Sequence, residues 1–171
     1  YSIEVSQLAR AQSLASAAFA DGSAVLGQGT LTLTRGDGST AQIEIGPGDT
    51  SLTAIRDRIN AANADLSAAI VRDAAGARLV LTTMSTGLDA ALTRIDVAGD
   101  VGLQALAFEQ GVPGSVTETQ PARNAMARIN GLDVESTSNT LDNVVDRLTL
   151  TLSRTTTTAV EVRVSADQDA M

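Results

Sequence analysis

Residues 127–152 read ARINGLDVESTSNTLDNVVDRLTLTL, and this stretch decides how the chain is understood. Ala125, Ala127 and Ile129 alternate with polar residues, the period of a half-buried strand. Asn130-Gly131 follows, one of the strongest two-residue hairpin signals, and Val134 begins the return. Ser138 or Asn139 then stands where a cap would open a short helix carrying Leu141, Val144 and Val145. Leu148, Leu150 and Leu152 form a further strand, Thr155 to Thr158 a polar turn, and Val160, Val162 and Val164 a closing strand. A related pattern, TSLTAIRDRINAAN, occupies residues 50–63. Both have a small polar opener, a Leu, a β-branched residue three positions on and an apolar residue four after that. A pattern used twice and made of packing and turn residues points to architecture rather than chemistry.

Working outward, Tyr1, Ile3 and Val5 alternate with Ser2, Glu4 and Ser6, and the strand is expected to run on to about Ser16. Residues 21–28, rich in Gly and small side chains, read as a connector. Residues 30–34 and 42–45 alternate around Arg35-Gly36-Asp37-Gly38, which predicts a hairpin. Gly46-Pro47-Gly48 ends it, Asp49 or Thr50 can cap a helix, and Leu52, Ile55, Ile59 and Ala62 give that helix one apolar stripe ending near Asn63. Residues 68–72 and 78–82 form a second hairpin about Asp73-Ala74-Ala75-Gly76. The block reads as ββαββ, one helix on one four-stranded antiparallel sheet. A strand near residues 93–97, a helical turn at 101–108 and a second connector at 111–120 complete it.

Composition narrows the function. The 171 residues contain no Cys and no His, so disulfides, thiolate metal sites and Ser–His or Cys–His catalysis cannot occur within this chain. Any acid–base chemistry near neutrality would need strongly perturbed carboxylates. Apolar residues make up 43% of the chain but aromatic ones only 2%, which argues for thin aliphatic cores and against a deep ligand pocket. The net charge of −8 repels nucleic acid and anionic lipid, and every basic residue is Arg. No apolar run is long enough to insert in a membrane. With Tyr1 directly inside a strand pattern, the chain reads as an excised fragment.

Each candidate site has a plainer account. Arg35-Gly36-Asp37 is an integrin-type tripeptide, yet hairpin tips select Gly and Asp for backbone reasons alone. Asp142 and Asp146 would share one face of the short helix, where capping and Arg147 explain them. Asp167 and Asp169 are half of a calcium loop without its Gly and distal Glu. Gly27-Gln28-Gly29 precedes a strand, where dinucleotide binding requires a helix. Ser16, Ser51 and Ser138 have no base. No catalytic, cofactor-binding or metal site is expected.

The elements in their order resemble the head region of bacterial flagellar filament capping proteins, the hook-associated protein type 2 family. The opening strand of residues 1–9 with Gln12, Gly29 to Leu33, DAAGARLVLTT at residues 73–83 followed by Ser85-Thr86-Gly87, the Ile129-Asn130-Gly131 element, Ser138-Asn139 and Leu148-Thr149-Leu150 carry the resemblance. Leu52, Ile55, Ile59 and Asn60 are similar to the motif that flagellins share. Arg147 departs from the pattern, since the family often places Gly there.

The resemblance implies an α+β, β-rich fold of two small antiparallel domains, one inserted in the other. Residues 1–24 and 116–171 would form the domain nearer the helical legs, and residues 25–115 the inserted outer head. It further implies an extracellular, homo-oligomeric cap at the filament tip that promotes folding and insertion of flagellin. No cofactor is implied; the partners are copies of the chain itself, flagellin and hook–filament junction proteins, without nucleic acid or membrane insertion. A surface adhesin head binding glycan or receptor, and a hook–filament junction or flagellin outer domain, are the alternative readings.

Overall fold

The computed structural model describes residues 1–164. Its first elements are β1 (Ser2–Gln7), β2 (Ser13–Ser16), β3 (Gly29–Arg35), β4 (Thr40–Ile45), α1 (Leu52–Ala61), β5 (Leu66–Asp73) and β6 (Gly76–Thr83). There follow β7 (Leu92–Gly99), a 3-10 turn at Val101–Leu106, β8 (Phe108–Glu109) and β9 (Val116–Gln120). The last are β10 (Ala125–Ile129), β11 (Leu132–Ser136), β12 (Thr140–Val145), β13 (Leu148–Thr151) and β14 (Val160–Glu161). The fold is β-rich and antiparallel with little helix, and divides into two units: Tyr1–Ala9 with Asn124–Met171, and Arg10–Arg123.

In the unit Arg10–Arg123, two four-stranded sheets run β5-β6-β2-β9 and β4-β3-β7-β8. The single four-stranded sheet expected from the ββαββ pattern is therefore not formed. Each hairpin does form, but β6 pairs on its free side with β2, as Leu14 with Leu81, and β3 pairs with β7, as Leu31 with Val97. Each hairpin thus finds a different neighbour. The last five residues of the presumed connector at 111–120 are β9, which pairs with β2 and closes that sheet.

Helix α1 supplies the apolar stripe read from the sequence, with Leu52, Ile55 and Ile59 buried. Its cap is Ser51, whose Oγ accepts the Ala54 N–H at 3.2 Å, one residue beyond the expected Asp49 or Thr50. It ends where the Ala62 N–H bonds the Arg58 and Ile59 carbonyls and Asn63 turns to φ 49°, a left-handed conformation Asn tolerates. Burying each such Leu or Ile stabilises by roughly 1.5–3 kcal/mol. The helix stripe joins Leu14, Leu31, Leu33, Ile43, Leu79, Leu92, Ile95 and Leu103 in one core.

In the other unit, a sheet β11-β10-β1-β14 is accompanied by the hairpin β12-β13. Ile3 and Val5 of β1 and Ala125, Ala127 and Ile129 of β10 face one way, in the register Ile3 with Ile129 and Val5 with Ala127. They bury against Ala9, Leu141 and Leu152. Asn130 and Gly131 both have positive φ, 50° and 85°, the signature of a type I′ turn.

Four expectations differ from the structure here. The helix expected after Ser138 is strand β12: Leu141 pairs with Leu150 and Val145 with Leu148, with a bulge between Asp142 and Val145. The β-branched Val144-Val145 pair and the Asn and Asp around it disfavour helix, while the alternating leucines of β13 offer a partner strand. The strand from Tyr1 does not continue to Ser16. It stops at Gln7, and β2 belongs to the other unit. Consequently the chain passes between units after Ala9 and after Arg123, rather than at the Gly-rich connectors near residues 25 and 115. The closing strand is also shorter than expected, only Val160–Glu161.

Candidate functional site: forked strands and assembly surfaces

Side chains that hold a backbone N–H and C=O together are the recurrent device of this chain. Asn139 donates through Nδ2 to the Ala9 carbonyl at 3.0 Å and accepts the Ala9 N–H on Oδ1 at 2.7 Å. Asn60, at the end of α1, does the same to Ala68 of β5, at 2.9 and 2.7 Å. Gln12 does it to Leu92 of β7 at 3.0 and 2.8 Å, and its Nε2 also donates to Glu118. A second form combines a side-chain oxygen with the same residue's own N–H. Asn130 holds Ser2 in this way, Thr156 holds Val5, and Thr83 holds Gln12. The forks on Ser2, Val5, Ala68 and Leu92 hold strand residues and those on Ala9 and Gln12 hold the chain between β1 and β2, so buried peptide groups there keep their partners. Among the described residues no buried side-chain N or O lacks a hydrogen bond, Gln12, Ser16 and Thr83 included.

Several forks coincide with residues singled out in the sequence, in roles the sequence did not give. Asn139 stood as a helix cap and is a clamp on a residue 130 positions away. Asn60 and Gln12 entered only through the family resemblance. Thr83 entered only within the segment 73–83 of the resemblance and Thr156 only as part of a polar turn, because their partners are distant in sequence. An isolated Asn or Gln at the edge of an apolar pattern is the one cue that could have marked the amide forks.

The described candidate groups make hydrogen bonds within the fold. Arg35 donates its guanidinium to the Ala64 carbonyl beyond α1, and Asp37 accepts the Ser39 N–H of its own turn at 2.8 Å, so both charged ends of the tripeptide are engaged within the fold. Asp142 lies on β12 and accepts the Thr149 hydroxyl at 2.9 Å, so it shares no helix face with Asp146. Gln28 donates its N–H to Asp100, and Gly29 enters β3, with no helix following. Ser51 caps α1; Ser16 accepts the Leu79 N–H; Ser138 closes a local turn with the Thr140 N–H. Asp167 and Asp169 lie outside the described residues.

Every carboxyl whose pKa moves clearly moves down. Hydrogen bonds from Arg78 and Arg128 hold Asp73 and Asp133 below the usual carboxylate range, and bonds from Ser39 and Ser23 do so for Asp37 and Asp21. Such acids stay ionised at neutral pH and cannot deliver protons there. No cluster of three or more metal-ligating side chains occurs among the described residues. An apolar void of about 10 Å³ among Leu31, Ile59, Leu79 and Ile95 is too small for a ligand. The solvent face of β1, β10 and β11 carries an open groove of about 440 Å³ bordered by Glu4, Met126, Arg128, Asp133 and Glu135. Its border carries three acids, Glu4, Asp133 and Glu135, and one base, Arg128.

This architecture is shared. A sequence model of the family described as flagellar hook-associated protein 2 C-terminus matches residues 122–171. The A-type flagellar hook-associated protein 2 of Pseudomonas aeruginosa is 33% identical, over 99% of this chain and 38% of its own length. Flagellar hook-associated protein 2 of Salmonella typhimurium is 36% identical, over 69% of this chain and 26% of its own. The chain thus spans only 26% to 38% of these two relatives. Among solved structures, the D2-D3 domains of the Escherichia coli flagellar cap protein FliD superpose with a TM-score of 0.84 at 31% identity, covering 94% of this chain and 88% of that one. FliD from Pseudomonas aeruginosa PAO1 gives 0.84 at 28% identity, over 97% and 79%. With its sheets matched over nearly their whole extent by a relative of this identity, the chain belongs to the flagellar hook-associated protein 2 family, the flagellar cap proteins.

Proposed function

We propose that this chain is the head of a cap at the distal end of the bacterial flagellar filament, outside the cell. Copies of it assemble through their folded β surfaces into an oligomeric plate, beneath which exported flagellin folds and inserts. Tyr1–Ala9 with Asn124 onward is the part nearer the helical legs, and Arg10–Arg123 the outer part. The partners are other copies, flagellin and, before elongation, the hook–filament junction proteins. No substrate is turned over and no cofactor is used.

The observation that carries this reading is the match to the FliD D2-D3 domains over 88% of that chain. A plate that must re-form contacts as subunits are added needs rigid heads with modest, repeated interfaces. The forks add rigidity to both units. The test is a strain whose capping protein lacks this head. The expected result is lost motility, absent or stunted filaments and flagellin released to the medium, with the shortened capping protein still exported. Filaments of normal length and number would overturn the proposal.

A further inference from the structure

The chain has six asparagines, and Asn130 alone is followed by Gly. Gly131 has no Cβ to shield its N–H, and apart from its chain neighbours nothing lies within 4 Å of where a Cβ would stand. Both residues are exposed at the tip of the β10–β11 hairpin. These are the conditions for the commonest spontaneous change of a thermolabile Asn. The Gly131 amide nitrogen, losing its proton to hydroxide, attacks Asn130 Cγ. The new N–C bond closes a succinimide ring, and the side-chain nitrogen leaves as ammonia. Water then opens the ring at one carbonyl to give Asp, or at the other to give isoAsp, which carries an extra main-chain methylene.

The folded tip opposes this. Ring closure needs the Asn130 backbone to turn out of its left-handed conformation, and Asn130 is held twice by Ser2. Its N–H donates to the Ser2 carbonyl at 2.8 Å, and its Oδ1 accepts the Ser2 N–H at 2.9 Å. We infer that Asn130-Gly131 is a spontaneous deamidation site in the folded chain, and that its fork on Ser2 is the lock that sets the rate. The reaction proceeds only from the fraction of molecules whose hairpin tip has opened locally. The Asp product keeps an acceptor for the Ser2 N–H. The isoAsp product lengthens a two-residue turn and displaces the pairing of Ile129 with Leu132.

The test incubates the full chain in mildly alkaline buffer, folded and in urea, and maps products by peptide mass spectrometry with separation of Asp from isoAsp. Ser2→Pro removes the N–H donor; Ser2→Ala keeps it and serves as control. Conversion is expected at Asn130 ahead of every other asparagine, slower folded than in urea. Ser2→Pro should raise the folded rate about five-fold, the factor by which losing one hydrogen bond shifts an opening equilibrium, and Ser2→Ala should leave it unchanged. Should Ser2→Pro fail to fold, the folded and urea rates of the unsubstituted chain decide the question. Equal rates in those two states, an intact Asn130 once the urea sample has converted, another asparagine reacting first, or a folded Ser2→Pro matching the unsubstituted chain would each overturn the inference.

Discussion

The two units are built on different terms. Arg10–Arg123 gathers twenty buried residues into one core, nearly all Leu and Ile, and adds a helix to it. The unit of Tyr1–Ala9 and Asn124 onward gathers eight among its described residues, three of them Ala. Three forks occur in each unit, but in this one all three hold a single segment, Ser2 to Ala9. Asn130 holds Ser2, Thr156 holds Val5 and Asn139 holds Ala9. Small cores leave little margin against chain entropy. Polar forks add modest stability, but removing one leaves buried groups unpaired, so they fix geometry more sharply than they add energy.

The sharpest way to break this contrast is to cut into each core. Ile55→Ala, at a fully buried site, should destabilise Arg10–Arg123 by about 4 kcal/mol, and Leu141→Ala should cost the other unit about 2–3 kcal/mol. Urea titration with amide exchange followed unit by unit measures both; equal losses would erase the distinction between a deep core and a thin one. Next in size is Asn139→Ala, which strands the N–H and C=O of the buried Ala9 and should cost about 2 kcal/mol. Exchange protection should fall around Ala9 and Leu152 and hold in α1.

Arg147→Gly has the opposite sign. Arg147 sits at φ 62°, which a side chain makes unfavourable and Gly adopts freely, so the substitution should stabilise the β12–β13 hairpin by about 0.5 kcal/mol. A loss of stability would show that the Arg147 side chain matters more than its backbone. With its positive φ at Arg147 the turn is formed but strained.

How far the sequence could be read is clearest where its pattern repeats. Residues 50–63 and 139–152 share the spacing of opener, Leu, β-branched and apolar residue, yet the first is α1 and the second a hairpin. Spacing over so few residues does not separate helix from strand. Composition does: Ala54, Ala61, Ala62, Arg56 and Arg58 favour helix, while Asn139, Asn143, Val144 and Val145 do not. Turns were legible because Asn130-Gly131, Gly38 and Gly76 fill positions that demand positive φ. Sheet membership was not, since the pairing of Leu14 with Leu81 or the hold of Asn139 on Ala9 spans most of a unit and leaves no local mark. The forks were invisible for the same reason.

The smallest effect is electrostatic. Asp21, Asp37, Asp73 and Asp133 have depressed pKa values, so the unfolded chain takes up their protons first as pH falls. Their contribution is complete above about pH 4, the unfolded value, and is lost as pH drops through the lower folded values. Thermal midpoints should decline over that acidic window, slightly, because these groups are exposed and salt screens them. Arg128→Gln should remove the part due to Asp133, and a midpoint that rises on acidification would contradict the sign.

All of this serves the reading of the chain as a rigid head that works by meeting its neighbours. Light scattering of the full-length capping protein beside the same protein lacking this head, over a range of concentrations, tests that most directly. The account predicts a discrete multiple of the single-chain mass that shrinks or loses definition when the head is removed. A mass that stays at one chain throughout, or an oligomer indifferent to the head, would contradict it.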